Sequence, residues 1–405
     1  MISGICDPQF SQVRDEFVRN FSERGEVGAC VSIVVDGRPR VDLWGGVADP
    51  VIGRAWEEDT VCVVWSCTKG ATSLAAHLLL ARGQLELEAP VSTYWPEYGV
   101  AGKEHTTVAH VLGHRAGLPA VRGQLPDGAF FDWELMVDTL AGQEPFYDPG
   151  SRHGYHGVTF GWLVGEIVRR VSGKSLGSYF RSEIAEPLGL DFWIGAPPEV
   201  SQRSARVSFA TPDPDVPVSE FFRLASTDPT SIPALLFNNT GGYFAPGAGG
   251  FDSREAHAAE LGATGAMTNA RGLSGLYTPV SLDGTCNGIK LFTNDDIGRM
   301  STTMSAGHDD SLRSDNRFTA GFQKAVDNRR KPVTEQDSVI IGPNAFGHSG
   351  FGGSLGFADP DHRIAFGYTM NQMGTGTGLN PRGQSLVDAT YRALGATSDA
   401  SGAWR

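Results

Sequence analysis

Val61-Cys62-Val63-Val64-Trp65-Ser66-Cys67-Thr68-Lys69-Gly70-Ala71-Thr72-Ser73-Leu74-Ala75-Ala76-His77-Leu78-Leu79-Leu80-Ala81-Arg82-Gly83 joins a short apolar run to a helical pattern. The run from Val61 to Trp65 reads as a strand. After it, Ala71, Leu74, Ala75, Leu78 and Leu79 recur three and four residues apart, the spacing of one helix face. Ser66 is therefore expected where a helix begins. Arg82-Gly83, a cation followed by a residue tolerant of the left-handed conformation, should end that helix. The S-x-x-K spacing of Ser66 and Lys69 brings both side chains to one helical face, within hydrogen-bond reach. A serine hydroxyl is a weak nucleophile until a neighbour takes its proton. A lysine can do so if desolvation or nearby positive charge lowers its pKa from about 10.4. Free N–H groups at the helix start can also stabilise a developing oxyanion. Many exposed helices carry such a pair as a cap and a solvated cation, so its meaning depends on what surrounds it.

With 405 residues the chain is long enough for a sizeable core, and 40% hydrophobic with 20% charged residues places it among globular proteins. Lys and Arg total 33 against 46 for Asp and Glu, a net charge of −13. That balance repels phosphate backbones and anionic lipid surfaces, so neither nucleic acid nor a membrane is expected as a partner. The start, Met1 to Pro8, lacks the basic and apolar parts of a secretory signal, and no apolar run reaches about 18 residues. A cytoplasmic location is expected. Cys6, Cys30, Cys62, Cys67 and Cys286 are scattered without metal-ligand spacing and read as reduced thiols, Cys67 as a small packing residue. Oligomeric state is not legible.

Cys30 to Val35, Asp36-Gly37, and Val41 to Trp44 form a strand, tight turn and strand. β-character returns in Ser338 to Ile341, around Phe346 to Gly350 and in Ile364 to Met370, followed by an amphipathic helix at roughly Ser385 to Leu394. Between the ends, Thr107 to His114 and Thr159 to Val171 show helical spacing. Residues 211 to 252 are crowded with Pro, Gly and Asn and read as long surface loops walling a cleft. The expected fold is α/β of the α+β kind. One sheet is built from 1–105 and 265–405, and 106–264 is inserted as a helical, loop-rich lobe.

With Gly83-Gln84-Leu85-Glu86-Leu87-Glu88-Ala89-Pro90-Val91 following the helix, this region resembles the nucleophile helix of the serine β-lactamase and penicillin-binding-protein superfamily. The likeness is greatest to class C enzymes and family VIII carboxylesterases. Thr107 to Leu118 is similar to the T-x-x-x-L-L-x-H-x-S-G-L stretch of the same group, and the likeness runs from about residue 10 to 395. It implies a β-lactamase/transpeptidase-like architecture, a mainly antiparallel sheet flanked by helices plus a helical lobe. It also implies an acyl-enzyme on Ser66 with Lys69 as proton acceptor. Tyr155 matches the tyrosine of the Y-x-N motif and is implied as a second general acid and base. Gly157 stands where lactamases carry an asparagine that helps hold an amide-containing substrate. His348-Ser349-Gly350 takes the place of K-T-G and is implied to bind substrate; a histidine, with pKa near 6.5, anchors a carboxylate less well than lysine. The backbone N–H of Phe351 would join that of Ser66 in an oxyanion hole. These departures move the expected substrate from a β-lactam to a small carboxylic ester. Neither metal nor organic cofactor is implied.

Gly352-Gly353-Ser354-Leu355-Gly356 satisfies G-x-S-x-G, but that elbow needs a helix after the serine, and the residues that follow read as strand, turn, strand. His110 and His114 lack the glutamate of H-E-x-x-H and read as structural. Gly265 to Leu273 resembles the segment where the chain re-enters the main lobe, and His308-Asp309-Asp310 reads as a solvated loop. A D-amino-acid peptidase or amidase, a weak β-lactamase and an acyltransferase are alternatives within the same fold. A catalytically silent binding relative is an alternative of another class, against which all three proton-handling residues are retained.

Overall fold

In the computed structural model, which describes residues 2–209, 211, 214–245, 250–398 and 403–405, the main sheet takes its strands from both ends of the chain. β1 (Ile2–Cys6), β2 (Gly28–Val35) and β3 (Arg38–Asp49) come from the first, and β4 (Phe346–Ser349), β5 (Leu355–Asp359) and β6 (Ile364–Met370) from the second. Their order is β1-β3-β2-β6-β5-β4, antiparallel throughout, with the short strand Arg54–Ala55 added to β3. The two chain ends meet at the centre, where Tyr368 of β6 pairs with Val31 of β2. The expected Asp36-Gly37 turn is present, with φ of 51° and 72° at its two residues, the mirror-image turn that suits a twisted hairpin.

The helices used below are α1 (Ser11–Glu23), α2 (Thr68–Ala81), α3 (Thr159–Ser172), α4 (Glu220–Thr227), α5 (Ile232–Asn238), α6 (Ala270–Ser281) and α7 (Pro381–Ala393). β2 is buried along its whole length because both sheet faces are covered. Ala29, Val31, Ile33 and Val35 share one apolar layer with Val13 and Phe17 of α1 and Leu386 and Val387 of α7. Cys30 and Val34 belong to the opposite layer with Leu273 and Tyr277 of α6, and Ser32 Oγ lies 2.8 Å from Ser274 Oγ there. Glycines let α6 approach: a Cβ on Gly367 of β6 would lie 2.2 Å from the Ala270 carbonyl oxygen.

Several elements differ from expectation, each for a local reason. Only Cys62–Val63 of the run before Ser66 forms a strand, and it pairs with Met267–Thr268, which also pairs with Phe192–Trp193, in a separate three-stranded sheet. Ser66 sits in a 3₁₀ turn, Trp65–Cys67, and α2 proper starts at Thr68. Ser338 to Ile341 contributes only an isolated bridge between Val339 and Val326, because the Gln384 side chain takes up both the N–H and the carbonyl of Ile340. α7 begins at Pro381, earlier than expected, capped by Asn380. The stretch 211–252 holds α4 and α5, capped by Ser219 and Ser231; Pro233 lies in the first turn of α5, where a missing N–H costs nothing. Residues 210, 212, 213 and 246–249 of this region lie outside the described residues. Among the described residues no helix is long and apolar enough to cross a membrane.

Gly367→Ala should force α6 off the sheet and lower stability by about 1–3 kcal/mol, the usual range for overpacking, as read by urea denaturation.

Candidate active site

The backbone of Trp65 is left-handed, φ 51°, which is costly for a bulky residue and turns the chain sharply from the small sheet into the 3₁₀ turn that carries Ser66. The indole is held among Tyr243, Phe244, Phe251 and Phe351, with ring centroids 4.8–6.5 Å away. α2 then runs through the interior, buried from Thr68 to Leu79, and ends in a Schellman arrangement: Gly83 N–H donates to the Leu80 carbonyl and Gln84 N–H to that of Leu79.

Lys69 is fully buried and has no carboxylate partner among the described residues. Its Nζ donates to the carbonyls of Gly157 at 2.6 Å and Ala263 at 3.0 Å and lies 3.1 Å from Ser66 Oγ. Burial lowers its pKa well below the ordinary lysine value. A neutral amine has two N–H bonds and one lone pair. With both N–H groups on carbonyls, the lone pair faces the Ser66 hydroxyl. On the other side, the Tyr155 hydroxyl donates to Ser66 Oγ at 2.7 Å, and burial raises the Tyr155 pKa above the ordinary phenol value, so it keeps its proton. A hydrogen-bond chain thus runs from Tyr155 through Ser66 to Lys69.

Tyr155 is braced from several sides. Its ring stacks on Phe318 at 5.6 Å and lies 4.9 Å from that of His114 and 5.8 Å from that of His348. Its backbone N–H donates to both carboxylate oxygens of Asp309, at 3.0 and 2.9 Å. The expectation of a solvated loop at His308-Asp309-Asp310 is corrected here. Asp309 is fully buried and also accepts the N–H groups of Ser311 and Leu312. A run of charged residues gave no sign that its middle member is tied to a tyrosine 154 positions away.

His348, Ser349 and Gly350 lie at the end of β4, beside Tyr155. His348 is buried and desolvation pushes its pKa down to about 3, so it is neutral rather than a weak cation. The Ser349 hydroxyl donates to Gln323 Oε1 at 2.7 Å. A Cβ on Gly350 would lie 2.1 Å from Ser354 Oγ and 2.5 Å from the Val64 carbonyl oxygen, so this close approach requires glycine. The N–H groups of Ser66 and Phe351 have no acceptor among the described residues.

Ser354 is buried, donates to the Val64 carbonyl at 3.0 Å and leads into β5, not a helix. The Cys67 thiol donates to the His348 carbonyl, and burial pushes its pKa up to about 12. His110 Nδ1 accepts the Thr107 N–H in a capping box, and His114 Nδ1 accepts that of His156.

Ser66 opens onto a cavity of about 50 Å³ walled by Trp65, Phe221, Leu236, Phe237, Phe244 and Phe351, with no cationic side chain among the described residues of its lining. Leu236 bears directly on Gly157: a Cβ there would lie 2.9–3.2 Å from three Leu236 carbons. The space an asparagine would need at 157 is filled by a leucine from α5, which sequence reading placed in a loop. A surface concavity of about 790 Å³ along α7 contains none of these residues.

A sheet of strands from both chain ends, with a Ser-x-x-Lys turn entering a buried helix beside it, is the β-lactamase/transpeptidase-type fold. A family model described as Beta-lactamase matches residues 14–390, and the chain belongs to that family. Among its relatives is "Esterase/beta-lactamase LipL" of Mycobacterium tuberculosis, 32% identical over 92% of this chain and 83% of that protein. A family VIII carboxylesterase structure superimposes with TM-score 0.83 at 34% identity, covering 97% of this chain and all of the other. A penicillin-binding-protein homologue from Caulobacter crescentus does so with TM-score 0.83 at 32% identity, over the same shares.

Folding requires Lys69 to shed a proton that the unfolded chain holds up to about pH 10.4. Between the lowered folded pKa and that value the unfolded state binds more protons, so this residue's contribution to stability improves with rising pH by about 1.4 kcal/mol per unit. Lys69→Met removes that component. The stability of the variant relative to wild type should therefore increase as pH falls from 10 towards 7, as read by chemical denaturation at each pH. Asp309→Ala, which strands three buried N–H groups, should cost about 3 kcal/mol, and Asp309→Asn, which keeps one oxygen, about 1 kcal/mol in the same assay.

Proposed function

We propose that the chain is a serine carboxylesterase acting on small uncharged esters through an acyl-enzyme on Ser66. The observation that carries this reading is the Tyr155–Ser66–Lys69 hydrogen-bond chain opening onto an aromatic cleft with no cation among its described lining residues. Neutral Lys69 takes the Ser66 proton as Oγ attacks the ester carbonyl, and the N–H groups of Ser66 and Phe351 receive the oxyanion. When the carbon–oxygen bond breaks, Tyr155 gives its proton to the departing alcohol oxygen, and the proton held by Lys69 restores the phenol. Water, activated by the same pair, releases the acid and regenerates Ser66, so that ester and water become acid and alcohol. His348, Ser349 and Gly350 line the substrate side of this site.

Ester over amide is favoured by Leu236, which stands where an amide-binding asparagine would reach, and by neutral His348, which offers no charge to a β-lactam carboxylate. The esterase descriptions of LipL and of the family VIII structure agree with this reading. We assign 106–264 as the lobe that supplies the apolar wall and 1–105 with 265–405 as the sheet-bearing unit.

A fluorophosphonate probe should label wild-type protein and not Ser66→Ala. p-Nitrophenyl butyrate should be hydrolysed with a kcat about 10⁴-fold above that of Ser66→Ala, and about 10²–10³-fold above that of Tyr155→Phe. Nitrocefin turnover equal to that of the ester would overturn the preference. Because Lys69 must be unprotonated and Tyr155 protonated, kcat/KM should rise with pH as Lys69 loses its proton. It should then hold level to about pH 10, the ordinary phenol range. A rate falling between pH 6 and 9 would contradict these roles.

A further inference from the structure

Beside the aromatic cavity lies a second, smaller one of about 30 Å³, and Tyr155, Leu312 and Thr377 line both. Ser66 lines only the first. The walls of the second include Ser314, Asn316, Gln323, His348 and Ser349. His348 Nδ1 lies 2.7 Å from the Ser349 carbonyl oxygen, a bond that only a protonated Nδ1 can make. In the neutral ring Nε2 therefore carries a lone pair. This atom is buried and unpartnered among the described residues, so it calls for a donor. Nearby amides are weakly committed: Asn316 Nδ2 reaches Ser314 O and Oγ at 3.4 and 3.3 Å, and Gln323 Nε2 reaches Asn316 Oδ1 at 3.5 Å. The carboxyl group on this wall belongs to Asp337, whose Oδ2 accepts the N–H and hydroxyl of Thr377.

We propose that His348, Asn316 and Gln323 form a subsite for the alcohol half of the ester, and that it takes a small neutral alcohol bearing a further hydroxyl group, of the glycerol type. The acyl chain occupies the aromatic cavity. A hydroxyl donates to His348 Nε2 and accepts from the amides, whereas a carboxylate, an acceptor only, can do nothing for Nε2 and is repelled by Asp337. The orientation follows from Tyr155, which must reach the departing oxygen and therefore has the alcohol on its side of the site. This inference rests on the reading of Ser66 as the acylated nucleophile.

The test uses the full chain and four esters followed by pH-stat titration: glyceryl monobutyrate, propyl butyrate, butyl glycerate and O-butyrylglycolate. Glyceryl monobutyrate should exceed propyl butyrate in kcat/KM by about ten-fold, the effect of one or two well-placed hydrogen bonds, and should exceed the other two further. In Asn316→Leu and His348→Phe the glyceryl-to-propyl ratio, which is independent of any general loss of activity or folded fraction, should fall towards one. A wild-type ratio of one or less, a ratio that survives both substitutions, or butyl glycerate as the better substrate would overturn the subsite. If propyl butyrate hydrolysis is still abolished by Ser66→Ala, such a result leaves the esterase reading standing. Failure of every ester, with no fluorophosphonate labelling, would remove both.

Discussion

A lysine amine held in the interior with no counter-charge among the described residues is the constraint on which the rest of this molecule depends. Burying an ammonium among carbonyls alone is far costlier than burying an amine, so the fold selects the unprotonated form of Lys69. Two carbonyls, from Gly157 and Ala263, fix its direction, and these come from segments 106 residues apart in the chain. The helix bearing Lys69 must therefore be enclosed before the amine is correctly placed. That is why α2 is packed into the interior rather than laid across the surface.

The sheet serves this enclosure. β6 and β2 join the chain ends, α6 settles on Gly367 of β6 and Gly356 of β5, and Tyr277 of α6 lies so close to α2 that a Cβ on Gly70 would come within 2.1 Å of its hydroxyl. Asp309 holds the Tyr155 backbone from a different direction, while Phe318, His114 and His348 confine the ring. Ser66 is thus held between two groups whose proton affinities burial drives apart, a base on one side and an acid on the other.

What the amino-acid pattern disclosed was mostly local. Asp36-Gly37 announced its hairpin, Arg82-Gly83 its helix end, and Ser66 with Lys69 its shared face, because each depends on residues a few positions apart. The resemblance carried Tyr155 and His348-Ser349-Gly350 to their places. Asp309 was misread because its partners lie across the structure and a buried carboxylate looks like a solvated one in a string of letters. Ile340 lost its strand to a side chain 44 positions away. The helices α4 and α5 were missed although Ser219 and Ser231 offered cap signals, since the surrounding Pro, Gly and Asn dominated the pattern. Leu236 could not have been linked to Gly157 without that helix.

The contact between Leu236 and Gly157 also shapes how this protein can change by mutation. An asparagine at 157 presses on the Leu236 methyl groups and requires that side chain to move, and shortening Leu236 alone opens a void beside the nucleophile. The two positions are therefore epistatic: each substitution is harmful singly and acceptable mainly in the company of the other. A lineage with this pair faces a two-step valley on any path towards an amide-binding site, and a single-site library would conceal that such a path exists.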